Sequence, residues 1–323
     1  MSTAGASTIG IVGASGFIGS ALTARCVAAG VPVVAASRSG RAHGDGVQAL
    51  RLDLLGEVGP IRDALRDCDV IYYLVHSIDE PDFQSRDRRA AENFVAALDD
   101  SEAKVVVVGG LGHGQLSKQL ESRHEVGALL RQHRDTVELR APMVIGRGSL
   151  SFEILLTVLS KWGVLSSSTT KSNCQPIALD DALWCVEAAR QLPAGVYEIG
   201  GADVLTYRAL AERCAHVLGK RLWLLPVPSR FLDLSARLIA VALDIPPSYA
   251  TALLESLRTD MTVQDTRFRE LTGFEPVGVG EALQRALVRH DPGTAAHDAP
   301  VAPASPRSAD RPPPSRRRRR ASG

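Results

Sequence analysis

A strand that runs straight into a spaced-glycine turn, and from there into a helix, constrains this fold more than any other stretch of the chain. Ile9-Gly10-Ile11-Val12 is apolar throughout, and Gly13-Ala14-Ser15-Gly16-Phe17-Ile18-Gly19 follows without a break. Ile18, Leu22, Cys26 and Val27 then recur on one helical face, and Gly30 stands where a helix-ending glycine belongs. A continuous apolar strand coupled to a helix this closely opens a βαβ unit, with the strand buried on both faces of a parallel sheet.

The same alternation continues. Apolar runs recur at Val31 to Ser37, Ala49 to Leu52, Val70 to Val75, Lys104 to Val108 and Val137 to Leu139. Between them lie helical patterns such as Ala90, Phe94, Ala97 and Leu98, then Val126, Leu129 and Leu130. The expected fold class is α/β: a doubly wound parallel Rossmann sheet over residues 1–148, followed by a smaller, mostly helical lobe over 149–290. Returning strands are expected in that lobe at 176–179 and 196–199. Residues 291–323 hold seven of the 18 prolines and no apolar period, and are expected to be a disordered Pro/Arg-rich tail.

Charge separates along the same boundary. The whole chain carries 37 Lys+Arg against 36 Asp+Glu. Residues 291–323 hold seven arginines against three aspartates, a balance of +4, which leaves −3 for the other 290 residues. A mildly acidic body lacks the basic face that nucleic acid requires, so no nucleic-acid partner is expected for it. Weak, salt-sensitive contact with a polyanion is expected only from the cluster Arg316 to Arg320. Five scattered cysteines form no C-x-x-C pair, so neither a metal site nor a disulfide framework is expected. Met1 to Ser7 has no basic residue, and the apolar stretch Leu234 to Ile245 is interrupted by Arg237 and Asp244. That stretch falls short of the roughly 20 apolar residues of a membrane span, and the expected location is cytoplasmic.

The glycine turn carries the first chemistry. Gly13, Gly16 and Gly19 let backbone N–H groups approach a pyrophosphate, with Ser15, Phe17 and Ile18 forming the start of a helix whose positive end faces it. The second strand ends in Ser37-Arg38-Ser39 with no acidic residue nearby. An Arg in that position suits a 2′-phosphate, so NADP(H) is expected in preference to NAD. Asp53 stands where an acid can accept from the adenine amino group, or equally cap a turn.

Several further segments, taken together with the glycine turn, are similar to one family. They are Tyr72-Tyr73-Leu74-Val75-His76-Ser77, Gly109-Gly110-Leu111-Gly112, Leu116-Ser117, Ser122-Arg123-His124-Glu125-Val126-Gly127, Leu139-Arg140-Ala141-Pro142 and Gln175-Pro176-Ile177. Over residues 8–285 the chain resembles the atypical short-chain dehydrogenase/reductases, in particular the bacterial NmrA-like NAD(P)-binding group with a "YLVHS" strand. The resemblance implies a dinucleotide across the strand ends, with Leu54, Leu74, Val75, His76, Gly109, Gly110, Arg123 and Pro142 lining it.

The chain also departs from that pattern. Active members of the wider superfamily use a Tyr four residues before a Lys, together with a Ser at the end of the fifth strand. Here Arg123 takes the Lys position, Gln119 the Tyr position, and Gly109 or Gly110 the Ser position. Gln has no ionisable proton and Gly has no hydroxyl. Arg123 can hold ribose hydroxyls, but with a pKa above about 12 it cannot shuttle protons near neutrality. His76, at the carboxyl end of the fourth strand, is the leading acid/base candidate, with a structural role in the cofactor groove as its alternative. His113 and His124 rank behind it, and Tyr72 and Tyr73 are expected to pack in the sheet. Asp180 and Asp181 are expected to cap a helix.

Two functions follow from these residues. One is an NADP(H)-dependent oxidoreductase acting on an unidentified small molecule without the Tyr-x-x-x-Lys pair. The other is a non-catalytic NAD(P)H-binding redox sensor or assembly factor. A nucleotide-sugar epimerase or dehydratase is disfavoured, because those chemistries need the missing Tyr.

Overall fold

Fully apolar β-branched strands can be satisfied only by cover on both faces, and the chain provides it. The computed structural model describes residues 7–42, 44–77, 80, 82–162, 164–166, 172–225, 232–243, 245, 247–256 and 258–288. Six strands, β1 (Ile9–Val12), β2 (Val33–Ser37), β3 (Val47–Arg51), β4 (Val70–Tyr73), β5 (Lys104–Gly110) and β6 (Thr136–Ala141), alternate with four helices. The helices are α1 (Phe17–Ala28), α2 (Val58–Leu65), α3 (Phe83–Ala97) and α4 (Lys118–Leu130). From one edge the sheet runs Gly195–Glu198, β6, β5, β4, β1, β2, β3, and every pairing is parallel. Strand order reverses between β1 and β4, so the crevice where such sheets bind ligands opens beyond their carboxyl ends.

Each face of the sheet has its own core. On one side Ile9, Ile11, Leu22, Tyr72, Val106 and Leu139 pack with Leu183 and Val186. On the other, Val12, Ile61, Leu65, Ile71, Phe94 and Val107 pack with Leu130. Tyr72 and Tyr73 are buried in these layers, as their strand positions require, and Tyr73 meets Phe94 edge-on at 5.0 Å.

Beyond β6 the chain builds α5 (Leu150–Thr157), α6 (Leu179–Ala188), α7 (Tyr207–Val217), α8 (Leu232–Leu243), α9 (Pro247–Ser256), α10 (Arg267–Thr272) and α11 (Val279–Val288). Ile177–Ala178 pairs with Val144–Ile145, outside the main sheet. The strand expected at 196–199 does not belong to the smaller lobe: Gly195–Glu198 joins the main sheet beside β6, with Glu198 level with Arg140. Its sequence, Gly-Val-Tyr-Glu, is half-buried over its first two residues and buried over its last two, and it ends on a charge rather than forming a fully apolar run. The 291–323 segment, with Arg316 to Arg320, lies outside the described residues. No helix among the described residues is long and apolar enough to cross a membrane.

Candidate dinucleotide site

The glycine turn sits at the switch point, and its glycines are enforced by close approach. Gly13 has φ +95°, and a Cβ there would lie 2.9 Å from the Leu74 carbonyl at the end of β4. A Cβ on Gly19 would meet Gly13 O at 2.2 Å, so α1 can approach the turn only if that residue has no side chain. Gly16 is the cap residue of α1, makes no side-chain cap bond, and is followed by a first turn without an acid. The N–H groups and dipole of this helix start are therefore presented at the crevice without a competing carboxylate. Ser15 and Gly16 are exposed, Phe17 and Ile18 half-buried.

At the end of β2, Arg38 is exposed and the buried Ser37 hydroxyl lies 3.2 Å from that of Ser39. Asp53 accepts a hydrogen bond from Leu55 N at 3.0 Å, which is the turn chemistry its position allowed, and Leu54 is buried beneath it. Beyond β4, Leu74 and Val75 are half-buried, His76 is exposed, and Pro142 is buried at the end of β6.

The end of β5 is crowded by α4. A Cβ on Gly110 would lie 2.6 Å from Leu120 Cδ2 and 3.3 Å from both Arg123 Cδ and Nε. The place a serine would need is thus filled by two α4 side chains. Arg123 donates through Nη2 to Val108 O at 3.0 Å, which holds its guanidinium against the sheet. Gln119 lies half-buried one turn earlier on α4. Ser117 caps that helix, accepting from Leu120 N. His124 contacts Gly110 O through Nε2 at 2.9 Å, and burial lowers its pKa from 6.5. Burial also pushes the Tyr72 and Tyr73 hydroxyls well above their ordinary range, so both stay protonated and are weaker acids than a free phenol.

Two buried carboxylates at this end of the sheet escaped the sequence reading. Glu138, fully buried on β6, is paired with Arg131 and receives Arg140 Nε at 2.8 Å. A Cβ on Gly127 would overlap the Glu138 carboxylate at 2.5 Å, so the glycine of α4 makes room for the ion pair. Glu198, on the edge strand, accepts from Gln264 N at 2.7 Å and Asp265 N at 3.1 Å. His113 Nε2 stands 3.2 Å from its other oxygen. The available signal was a charged residue inside an otherwise apolar strand, Val137-Glu138-Leu139 and Tyr197-Glu198-Ile199. Asp180 and Asp181 lie in the first turn of α6 rather than at its cap, which is Ala178. Asp181 instead accepts from Val277 N at 2.8 Å and ties α6 to the segment before α11. Among the described residues no group of His, Cys, Asp and Glu could hold a metal ion.

Residues 13–142 match the NAD(P)H-binding family. Solved structures share the architecture. A nucleoside-diphosphate-sugar epimerase from Staphylococcus aureus aligns with TM-score 0.67 and 19% identity, over 86% of this chain and 99% of that one. ADP-L-glycero-D-manno-heptose-6-epimerase from Helicobacter pylori aligns with TM-score 0.66 and 14% identity, over 88% and 96%. dTDP-4-dehydrorhamnose reductase from Bacillus anthracis, in complex with NADP, aligns with TM-score 0.64 and 12% identity, over 89% and 100%. At these identities the likeness is one of fold. No curated protein matches the sequence.

Proposed function

We propose that the NAD(P)H-binding domain prefers NADP(H) and serves an oxidoreductase acting on an unidentified small molecule. The observation that carries the cofactor preference is the end of β2: an exposed Arg38 between two serine hydroxyls, with no acid where NAD proteins place one. A guanidinium offers a planar, permanently charged fork to a 2′-phosphate, and the serines add hydroxyl donors. The glycine turn and the uncapped start of α1 would hold the pyrophosphate. A bound nicotinamide group would supply the hydride. Arg123, fixed by Val108 O, can hold a hydroxyl but cannot move a proton. His76, exposed beyond β4, is positioned to exchange a proton with solvent.

Thermal denaturation with NADPH, NADP, NADH and NAD tests the cofactor preference. A dinucleotide at 100 times its Kd adds about 2.7 kcal/mol of stability. NADPH is expected to stabilise more than NADH. Arg38→Ala, which removes a charge-assisted contact worth roughly 1.5–3 kcal/mol, should weaken NADPH about 10- to 100-fold and leave NADH unchanged. Equal stabilisation by NADH, insensitive to Arg38→Ala, refutes the preference.

A second reading, a non-catalytic redox sensor or assembly factor, is favoured by Gln119 and by the filled Gly110 position. Substrate-dependent NADPH oxidation across quinones, aldehydes and enones excludes it. Tight binding with no turnover above background excludes the oxidoreductase.

A further inference from the structure

The loop that leaves β5 crosses the end of β6. Leu111 N donates to Ala141 O at 2.8 Å, and on the far side of β6 Ile199 N donates to Arg140 O at 3.0 Å. These bonds flank the carboxyl end of β6, and His113 and Glu198 meet across it. Glu198 is 8% exposed, one oxygen is occupied by the two N–H groups of Gln264 and Asp265, and the other faces His113 Nε2 at 3.2 Å. That nitrogen is buried without a well-aligned hydrogen bond, while the side chain as a whole remains 24% exposed. Charged and titratable groups near the pair include Arg140 on β6, which feels Glu198, and His124 on α4, which feels His113. A histidine backed by a rigidly held carboxylate has its tautomer and orientation fixed, with Nδ1 left for a ligand. Catalytic hydrogen bonds are often misaligned until substrate binds.

We infer that His113, oriented by Glu198, is the proton donor for reduction of a small carbonyl compound, in the place left by the missing Tyr. The inference rests on the oxidoreductase reading above. The carbonyl carbon of the substrate gains a C–H bond from hydride, the C=O pair moves to oxygen, and the oxygen takes the proton from the His113 imidazolium. A bound reduced nicotinamide would supply the two electrons as that hydride, and the imidazole regains its proton from water.

The test uses the full-length protein and two readouts. Carbethoxylation by diethyl pyrocarbonate, followed residue by residue by mass spectrometry, is run with and without NADPH; the exposed His216 on α7 serves as internal control. NADPH should slow modification of His113 at least fivefold and leave His216 unchanged. With a carbonyl substrate, His113→Gln should lower kcat at least 100-fold with the NADPH Kd unchanged, the scale of a general acid. Glu198→Gln should lower kcat less and leave the NADPH Kd unchanged. If NADPH stabilises the chain but His113 reacts at an unchanged rate, or His113→Gln keeps its kcat, the role of His113 is overturned while the oxidoreductase reading stands. If NADPH protects His113 but no carbonyl is turned over, or if NADPH does not bind, both fall together.

Discussion

Gly110 sits against two side chains of α4. A Cβ there would enter the space held by Leu120 and Arg123. Gly110→Ser is expected to destabilise the fold by roughly 1–3 kcal/mol through overpacking, with no gain of activity. Leu120→Ala in the same chain should relieve part of that cost, and denaturant melts of the two single variants and the double variant give the coupling. The glycines of the turn were legible in sequence, because spacing along one short segment dictates their steric role. The partners of Gly110 were not, since they reach it from a helix packed across the sheet. The pairing of His113, a secondary candidate in sequence, with Glu198 was hidden for the same reason, since the two lie far apart in the chain and meet only through strand order. The five thiols occupy the interior. All are buried and free, and burial pushes Cys68 up to about 11 and Cys174 and Cys214 up to about 12.

At the scale of elements, α4 links the cofactor end of the sheet to the stability of the fold. Its Gly127 makes room for Glu138 on β6, and its His124 contacts Gly110 O at the end of β5. Burial, the largest effect, lowers the pKa of His124 in the folded chain below 6.5, so the unfolded chain takes up a proton first as pH falls. The stabilisation from keeping this ring neutral is therefore present in full above 6.5 and is lost as pH drops from there through the folded value. His124→Gln is expected to flatten the stability profile in that window, as read by thermal melts between about pH 5 and 8. The strands of the doubly wound sheet were readable because burial on both faces leaves an unbroken apolar run. Gly195–Glu198 was misplaced because an edge strand covered less completely carries no such run.

For the molecule as a whole, the opposite charges of body and tail predict separable behaviour. At low salt the intact chain should bind heparin weakly, and a chain ending at residue 290 should not, with retention falling steeply as salt rises. The cofactor-induced stabilisation should be the same in both. The edge strand Gly195–Glu198 leads to the opposite result for a cut made earlier. A fragment ending at residue 148 would leave β6 unpaired along one side, and size-exclusion chromatography should find it aggregated where the 1–290 chain is well behaved. The same arrangement governs the order of events at the ribosome. Although the family match ends at residue 142, the sheet beneath it stays open until residues beyond 195 have emerged, so vectorial synthesis must hold a nearly finished domain with a bare, sticky margin.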